Sequence, residues 1–322
     1  MKDAMGFSVG AVGVRILKDE AEMGEVTARH VIQRLKENAR EARPGVFWTM
    51  AAPSAFAFYG SLIRHAAEDA ALAAILKRIH YFQFDDYPFK RGSAAFAATF
   101  RQLLAERFFG PLAAVCGPLD HIHALELCGD AADAQVADAY LADLLKLRSE
   151  GAFLLQLKGI GMDGHWGFHG AETPLEAAPA IVQVEIGDAN GHQQMKEWPQ
   201  LFPDRGSLPK KAFTCNVSAF LLAHEIIDNV PQAAKEYSVL ASYGTEQVLG
   251  EVPSSAIKKH PKATAYLAYP AARALLEFKE MGHLSRETWQ RLDALWSFPE
   301  DPALEAANIR TMRHVLGELG IV

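Results

Sequence analysis

Four segments of this 322-residue chain carry the side chains best suited to acid–base work and anion binding. Asp85 and Asp86 follow the apolar run Phe82-Gln83-Phe84. A carboxylate set against apolar walls has a raised pKa and can serve as a general base; the same pair ahead of Tyr87-Pro88 would also suit a turn. Asp163 lies two residues before His165, close enough to orient its imidazole. Glycines 159, 161, 164, 167 and 170 surround that pair and allow the backbone to come close to a ligand. Ser54 follows Ala51-Ala52-Pro53 where a helix is expected to begin. Small residues and free N–H groups suit a phosphate there, although a serine in that place also caps helices. Lys235, after Val230-Pro231, opens another helix and can reach an anion; a solvated lysine on a helix face is the ordinary alternative.

These residues need elements to hold them, and strand and helix patterns alternate along most of the chain. Helical stripes run over 20–40, 54–66, 93–108 and 133–148, with a helix after Pro231 and another over 303–319. Strands are read over 46–50, 79–84, 122–127, 153–157, 181–186, near 226–230 and over 263–267. Met1 to Leu17 reads as a starting strand or arm. Such alternation predicts a Rossmann-like layered α/β fold: a mostly parallel sheet with helices on both faces, plus a C-terminal helical extension. No Pro/Gly/Ser linker divides the chain. One domain over 1–322 is expected, with a core over about 20–275 and the extension over about 276–322. In such sheets ligands bind beyond the carboxyl ends of strands, where all four segments fall.

Composition narrows the function. Half the residues are apolar, 22% are charged, and 32 Lys and Arg against 39 Asp and Glu leave a net charge of −7. This is an ordinary globular composition, and it argues against nucleic acid as a partner, which needs a basic face. No apolar run approaches the ~20 residues that span a bilayer, so no membrane partner is expected. Three cysteines without a C-x-x-C pair point away from a disulfide framework or zinc site and toward a reducing, cytoplasmic setting. His165 and His169 are four apart, a metal-ligand spacing only on a helix, and this glycine-rich stretch is a poor helix. Gly159-Ile160-Gly161 lacks the remainder of a dinucleotide-binding fingerprint.

Taken in order, the segments resemble the glucosamine-6-phosphate deaminase/isomerase family, which shares its fold with 6-phosphogluconolactonases. Gln83-Phe84-Asp85-Asp86-Tyr87 is similar to that family's N-M-D-E-Y strand end. The stretch from Gly159 to Gly170 is similar to its G-I-G-x-D-G-H-x-A-F-N-E-P block. Ala51 to Ser54, Val230 to Lys235, and Pro253 to Ile257 with His260-Pro261 resemble further blocks, so that the likeness covers about residues 20–275. The resemblance implies Asp85 as the base that moves a proton between C2 and C1 of an opened sugar. It implies His165 as the group assisting ring opening, with Asp163 holding its tautomer. Ser54, the Ala51–Ala52 backbone and Lys235 would hold a phosphate, and Asp86, Gly161 and Gly164 would complete the binding site. No cofactor and no metal are implied. The expected partner is a small sugar phosphate; the family includes monomers and hexamers, so a homo-oligomer is also allowed.

Three departures accompany the likeness. The family's acid after F-N falls on Gly170, preceded by His169; Glu172 could replace it if the loop bulges, and His169 could take over proton transfer. The family's phosphate-binding arginine before a Q-Q pair falls on His192, before Gln193-Gln194, a weaker and pH-dependent anion partner. Trp166 is bulkier than the usual residue. Besides isomerisation with or without ammonia release, the sequence therefore admits a lactone hydrolase or a non-catalytic sugar-phosphate sensor.

Overall fold

The computed structural model of the chain describes residues 5–299 and 301–321. Its strands are β1 (Met5–Val9), β2 (Val12–Leu17), β3 (Gly45–Thr49), β4 (His80–Gln83), β5 (Asp85–Asp86), β6 (His121–His123), β7 (Phe153–Lys158), β8 (Ile181–Glu185), β9 (Lys211–Cys215), β10 (Glu225–Val230) and β11 (Ala263–Ala268). The helices are α1 (Glu20–Arg40), α2 (Phe56–Glu68), α3 (Ala70–Arg78), α4 (Phe100–Leu104), α5 (Gly110–Cys116), α6 (Asp133–Ser149), α7 (Asp188–Glu197), α8 (Val217–Phe220), α9 (Glu236–Tyr243), α10 (Tyr269–Met281), α11 (Arg286–Ala294) and α12 (Pro302–Glu318).

Eight strands form one sheet in the order β1-β2-β11-β10-β7-β3-β4-β6, parallel except for the β1–β2 hairpin. β3 and β10 are buried throughout, as strands covered on both faces must be. The helices around the sheet read differently. In α1, Met23, Ala28, Val31 and Leu35 lie on the buried stripe, and Asp19 caps its start by accepting from Glu22 N at 2.9 Å. The layered fold with its C-terminal helices is therefore the one the sequence predicts.

Details depart from expectation. The arm before residue 20 is a hairpin whose second strand pairs with β11, so the sheet begins earlier than the expected core; residues 1–4 lie outside the described residues. The expected strand over 122–127 shrinks to β6, on the sheet edge. β8 does not join the parallel sheet. It pairs antiparallel with β9, and β9 with β5, in a second, three-stranded sheet. β9 and α7 fall where no element was expected.

Chain order runs outward from β3 through β4 to β6 on one side, and from β7 through β10 to β11 on the other. The order therefore reverses between the adjacent strands β3 and β7. A crevice opens at the carboxyl ends of strands at such a reversal. The segments following β3, β4, β7 and β10 are neighbours there although they come from widely separated parts of the chain.

Candidate active site

A cleft of about 560 Å³, including its open mouth, lies at this reversal. The loop after β3 supplies Met50, Ala51, Ala52 and Ser54; the chain after β4 supplies Asp85; the loop after β7 supplies Gly161 and His165; the turn after β10 supplies Lys235.

Asp85 is held by its backbone. β4 ends at Gln83, and the chain then crosses into the small sheet, where Asp85 pairs with Thr214 and Asp86 with Phe213. Asp85 is almost fully buried, and burial, with Asp86 next to it, pushes its pKa well above the ordinary carboxylate value. A carboxyl whose charged form is disfavoured in this way is a stronger base once ionised than an ordinary aspartate.

His165 and Asp163 form a fixed pair. The imidazole Nδ1–H donates to Asp163 Oδ1 at 2.6 Å, and the same oxygen accepts from the His165 backbone N at 3.1 Å. Burial opposes the Asp163 charge, but the His165 ring and these hydrogen bonds hold its pKa down at about 2. A carboxylate that stays ionised fixes the histidine tautomer and leaves Nε2 for a reacting group. Gly161 is required beside it: a Cβ on that residue would lie 2.1 Å from His165 Cε1. Gly167, at φ +65°, brings the chain within 3.3 Å of Asp85 Oδ2, measured from the position a Cβ would take.

Ser54 does not cap a helix. Neither its own 3₁₀ turn nor α2 has a side-chain cap, and its Oγ lies 3.7 Å from Met50 Sδ. Its Oγ is also 2.9 Å from the place of a Cβ on Gly159, which brings the β3 and β7 loops together. Lys235 is buried at the start of α9, in a turn that follows β10.

The other expected site residues do not line the cleft. Asp86 turns inward: Oδ1 accepts from Tyr87 N and Phe100 N, Oδ2 from Gln83 Nε2, and Arg101 lies 3.7 Å away. Burial raises its pKa to about 6 against the pull of Arg101. It anchors the start of α4, and its carboxylate does not line the cleft. His169 is fully buried with both nitrogens engaged, Nδ1 accepting from Val217 N and Nε2 donating to Thr173 O, and it does not line the cleft. His192 packs on the Phe298 ring, centroids 3.7 Å apart, and stands outside the cleft. Gly164 serves a turn: it has φ +93°, and its carbonyl accepts from Ser254 N at 2.9 Å. Glu172 is exposed but reaches back over Gly170, where a Cβ would meet its Oε2 at 2.5 Å. Trp166 is buried against Phe220, rings stacked at 4.8 Å, and does not crowd the cleft.

Sequence reasoning missed several walls. Phe84, Phe100, Phe168 and Trp198 make one side apolar, and Gln193 and Gln194 of α7 add amides. Gln193 Oε1 accepts from Met162 N at 2.9 Å and so ties α7 to the glycine loop. Gln194 Oε1 is buried and has no hydrogen-bond partner among the described residues. The Gln193-Gln194 pair was visible in the sequence, but no spacing linked it to residues some thirty positions away.

A carboxylate with a raised pKa, a carboxylate-oriented histidine and a buried lysine thus lie together in one crevice of a parallel α/β sheet, groups whose types suit acid–base chemistry beside an anion. Comparison with known proteins narrows this class. No family model matches the chain. Glucosamine-6-phosphate deaminase of Shouchella clausii is 29% identical over 122 residues, which are 38% of this chain and 47% of that protein. The deaminase of Staphylococcus aureus strain JH9 is 26% identical over 156 residues, 48% of this chain and 58% of that protein. The chain thus spans about half the length of the curated relatives it matches. Among solved structures, a monomeric glucosamine-6-phosphate deaminase superposes with a TM-score of 0.66 at 19% identity, over 81% of this chain and 98% of its own. The 6-phosphogluconolactonase of Trypanosoma brucei superposes with a TM-score of 0.60 at 15% identity, over 83% of this chain and 99% of its own. The resemblance to the deaminase/isomerase family and the fold shared with the lactonases are both borne out. No helix among the described residues is long and apolar enough to cross a membrane.

Proposed function

We propose that the chain is an aldose–ketose isomerase/deaminase acting on an amino-sugar phosphate such as glucosamine 6-phosphate. One observation carries the reading: Asp85, His165 and Lys235, from three different strand ends, line a single cleft. His165, its tautomer set by Asp163, would move a proton at the ring oxygen and open the sugar. Asp85 would then carry the proton between C2 and C1. Ser54, the Ala51–Ala52 backbone and Lys235 would hold the phosphate, and so fix the distance from anion to reacting carbons. Sequence similarity to deaminases supports this choice over the lactonases, whose likeness is in the fold. The Glu172 carboxylate, whose Oε2 would lie 2.5 Å from a Cβ on Gly170, keeps Glu172 a candidate for the acid that the resembling family carries at that position.

The test is an assay of the purified chain with glucosamine 6-phosphate, following ammonia and ketose phosphate together. The expected result is both products, with turnover abolished in Asp85→Asn. In Lys235→Ala the KM should rise with a smaller change in kcat. Hydrolysis of 6-phosphogluconolactone without isomerisation would replace the reading with the lactonase one. Thermal stabilisation by the sugar phosphate without any turnover would replace it with a sensor.

A further inference from the structure

Two of the cleft's walls, α7 and the turn before α9, both touch the C-terminal helices. Glu236 directly follows Lys235 and is fully buried. An uncompensated carboxylate buried one residue along the chain from the lysine proposed to hold the anion would make the potential there less favourable to an anion. Arg291 of α11 takes up that charge with a bidentate pairing: Nε to Glu236 Oε2 at 2.9 Å and Nη2 to Oε1 at 2.8 Å. Arg273 of α10 adds Nη2 to Oε2 at 3.1 Å. The next residue, Tyr237, meets the Trp296 ring edge-on at 5.9 Å. Beyond Trp296, Phe298 is fully buried and packs on His192 of α7, next to the cleft residues Gln193 and Gln194. One stretch, 291–298, therefore touches both walls.

We infer that the C-terminal extension is a clamp that sets anion affinity, with Arg291 as a positioning residue that keeps the Glu236 carboxylate from opposing the anion at Lys235, and Phe298 as the brace for α7. The inference rests on the proposed reading in taking Lys235 as the phosphate contact. Position 192 shows the trade: where the resembling family carries an arginine, this chain places a ring that the extension packs upon. Arg291 touches no substrate. It acts through Glu236, whose charge a lysine could offset only in part because it lacks the planar fork.

The experiment measures binding and turnover of glucosamine 6-phosphate and binding of unphosphorylated glucosamine. It compares wild type, Arg291→Ala, Arg291→Lys, Phe298→Ala and the double variant Arg291→Ala/Glu236→Gln. Arg291→Ala should weaken sugar-phosphate binding about tenfold, equivalent to about 1.4 kcal/mol, and should leave glucosamine binding and kcat within about twofold. Arg291→Lys should restore part of the affinity, and the Glu236→Gln second change should restore most of it, because the opposing charge is gone. Phe298→Ala should weaken both ligands, since it loosens a wall and not a charge. Equal loss for both ligands in Arg291→Ala, or no rescue by Glu236→Gln, overturns the clamp and leaves the proposed function standing. Binding of the sugar phosphate that is indifferent to Lys235→Ala removes the shared premise and overturns both. Binding that depends on Lys235 without turnover removes only the catalytic reading. Melting temperatures of every variant separate a folding defect from an affinity effect.

Discussion

The carboxylate of Glu172 stands over the α-carbon of Gly170, so close that a methyl group there would meet Glu172 Oε2 at 2.5 Å. Glu172 is proposed to stand in for the acid that the resembling family carries at Gly170. If Glu172 assists His165, Glu172→Gln should lower kcat at least tenfold, at or below the usual range for a general acid or base, with little change in KM. Gly170→Ala should displace the flexible Glu172 side chain and reproduce part of that loss. Its melting temperature should scarcely move, because the displaced atoms are a side-chain end. Steady-state kinetics and a thermal melt of the two variants check this.

Asp85 pairs function with a cost in stability. Its pKa is raised on folding, so the proton-bound form is favoured in the native state. The contribution to stability is fully present below the unfolded value near 3.8 and is lost as pH rises through the folded value. Asp85→Asn, which cannot ionise, should therefore melt higher than wild type at neutral pH, with the difference shrinking as pH falls toward 4. The same proton shows in kinetics: the acid limb of kcat/KM should lie above the range of an ordinary aspartate.

Glu225 behaves in the opposite sense. Burial opposes its charge, but His30, Lys262 and Arg34 surround it, at 2.8, 2.9 and 2.6 Å, and bring its pKa down to about 2. Its contribution is present above the unfolded value of 4.5 and is lost as pH falls toward 2. Glu225→Gln should cost about 2–3 kcal/mol at pH 7, and the gap from wild type should narrow as the pH of a urea melt is taken down through 4 and 3.

Lys158 and Asp228 make a fully buried ion pair of 2.8 Å between β7 and β10, just below the glycine loop. Lys158 Nζ also lies 4.6 Å over the Trp166 ring, and Tyr243 donates its hydroxyl to Asp228. Burial lowers the Lys158 pKa, and Asp228 opposes that shift. Lys158→Met alone should cost about 3–5 kcal/mol because it strands a buried carboxylate. Adding Asp228→Leu should recover most of that. Equal destabilisation by the single and double changes, read in denaturant melts, would show that the pair contributes more than charge cancellation.

Much of this molecule is local and was readable without coordinates. The period of apolar residues determines where α1 buries its face, and the mainly apolar runs of 46–50 and 153–157 mark strands covered on both sides. Asp85, His165, Ser54 and Lys235 could be picked out because each follows such a run, and the carboxyl ends of parallel strands converge. Asp163 beside His165 needs only a tight glycine turn. What the chain pattern could not decide is which partner a polar side chain meets across the fold. Asp86 has the same local setting as Asp85, yet successive residues of a strand face opposite sides, and the start of α4 lies on the inner one. His169 spends both nitrogens on backbone groups at 173 and 217. His192 meets Phe298 more than a hundred residues later. The second sheet is of the same kind: β8 reads like every other strand, and only β9 and β5 arriving from elsewhere turn it antiparallel. Periodicity encodes how deeply a residue is buried, whereas the identity of its neighbour depends on contacts between distant segments that form only when the layers close.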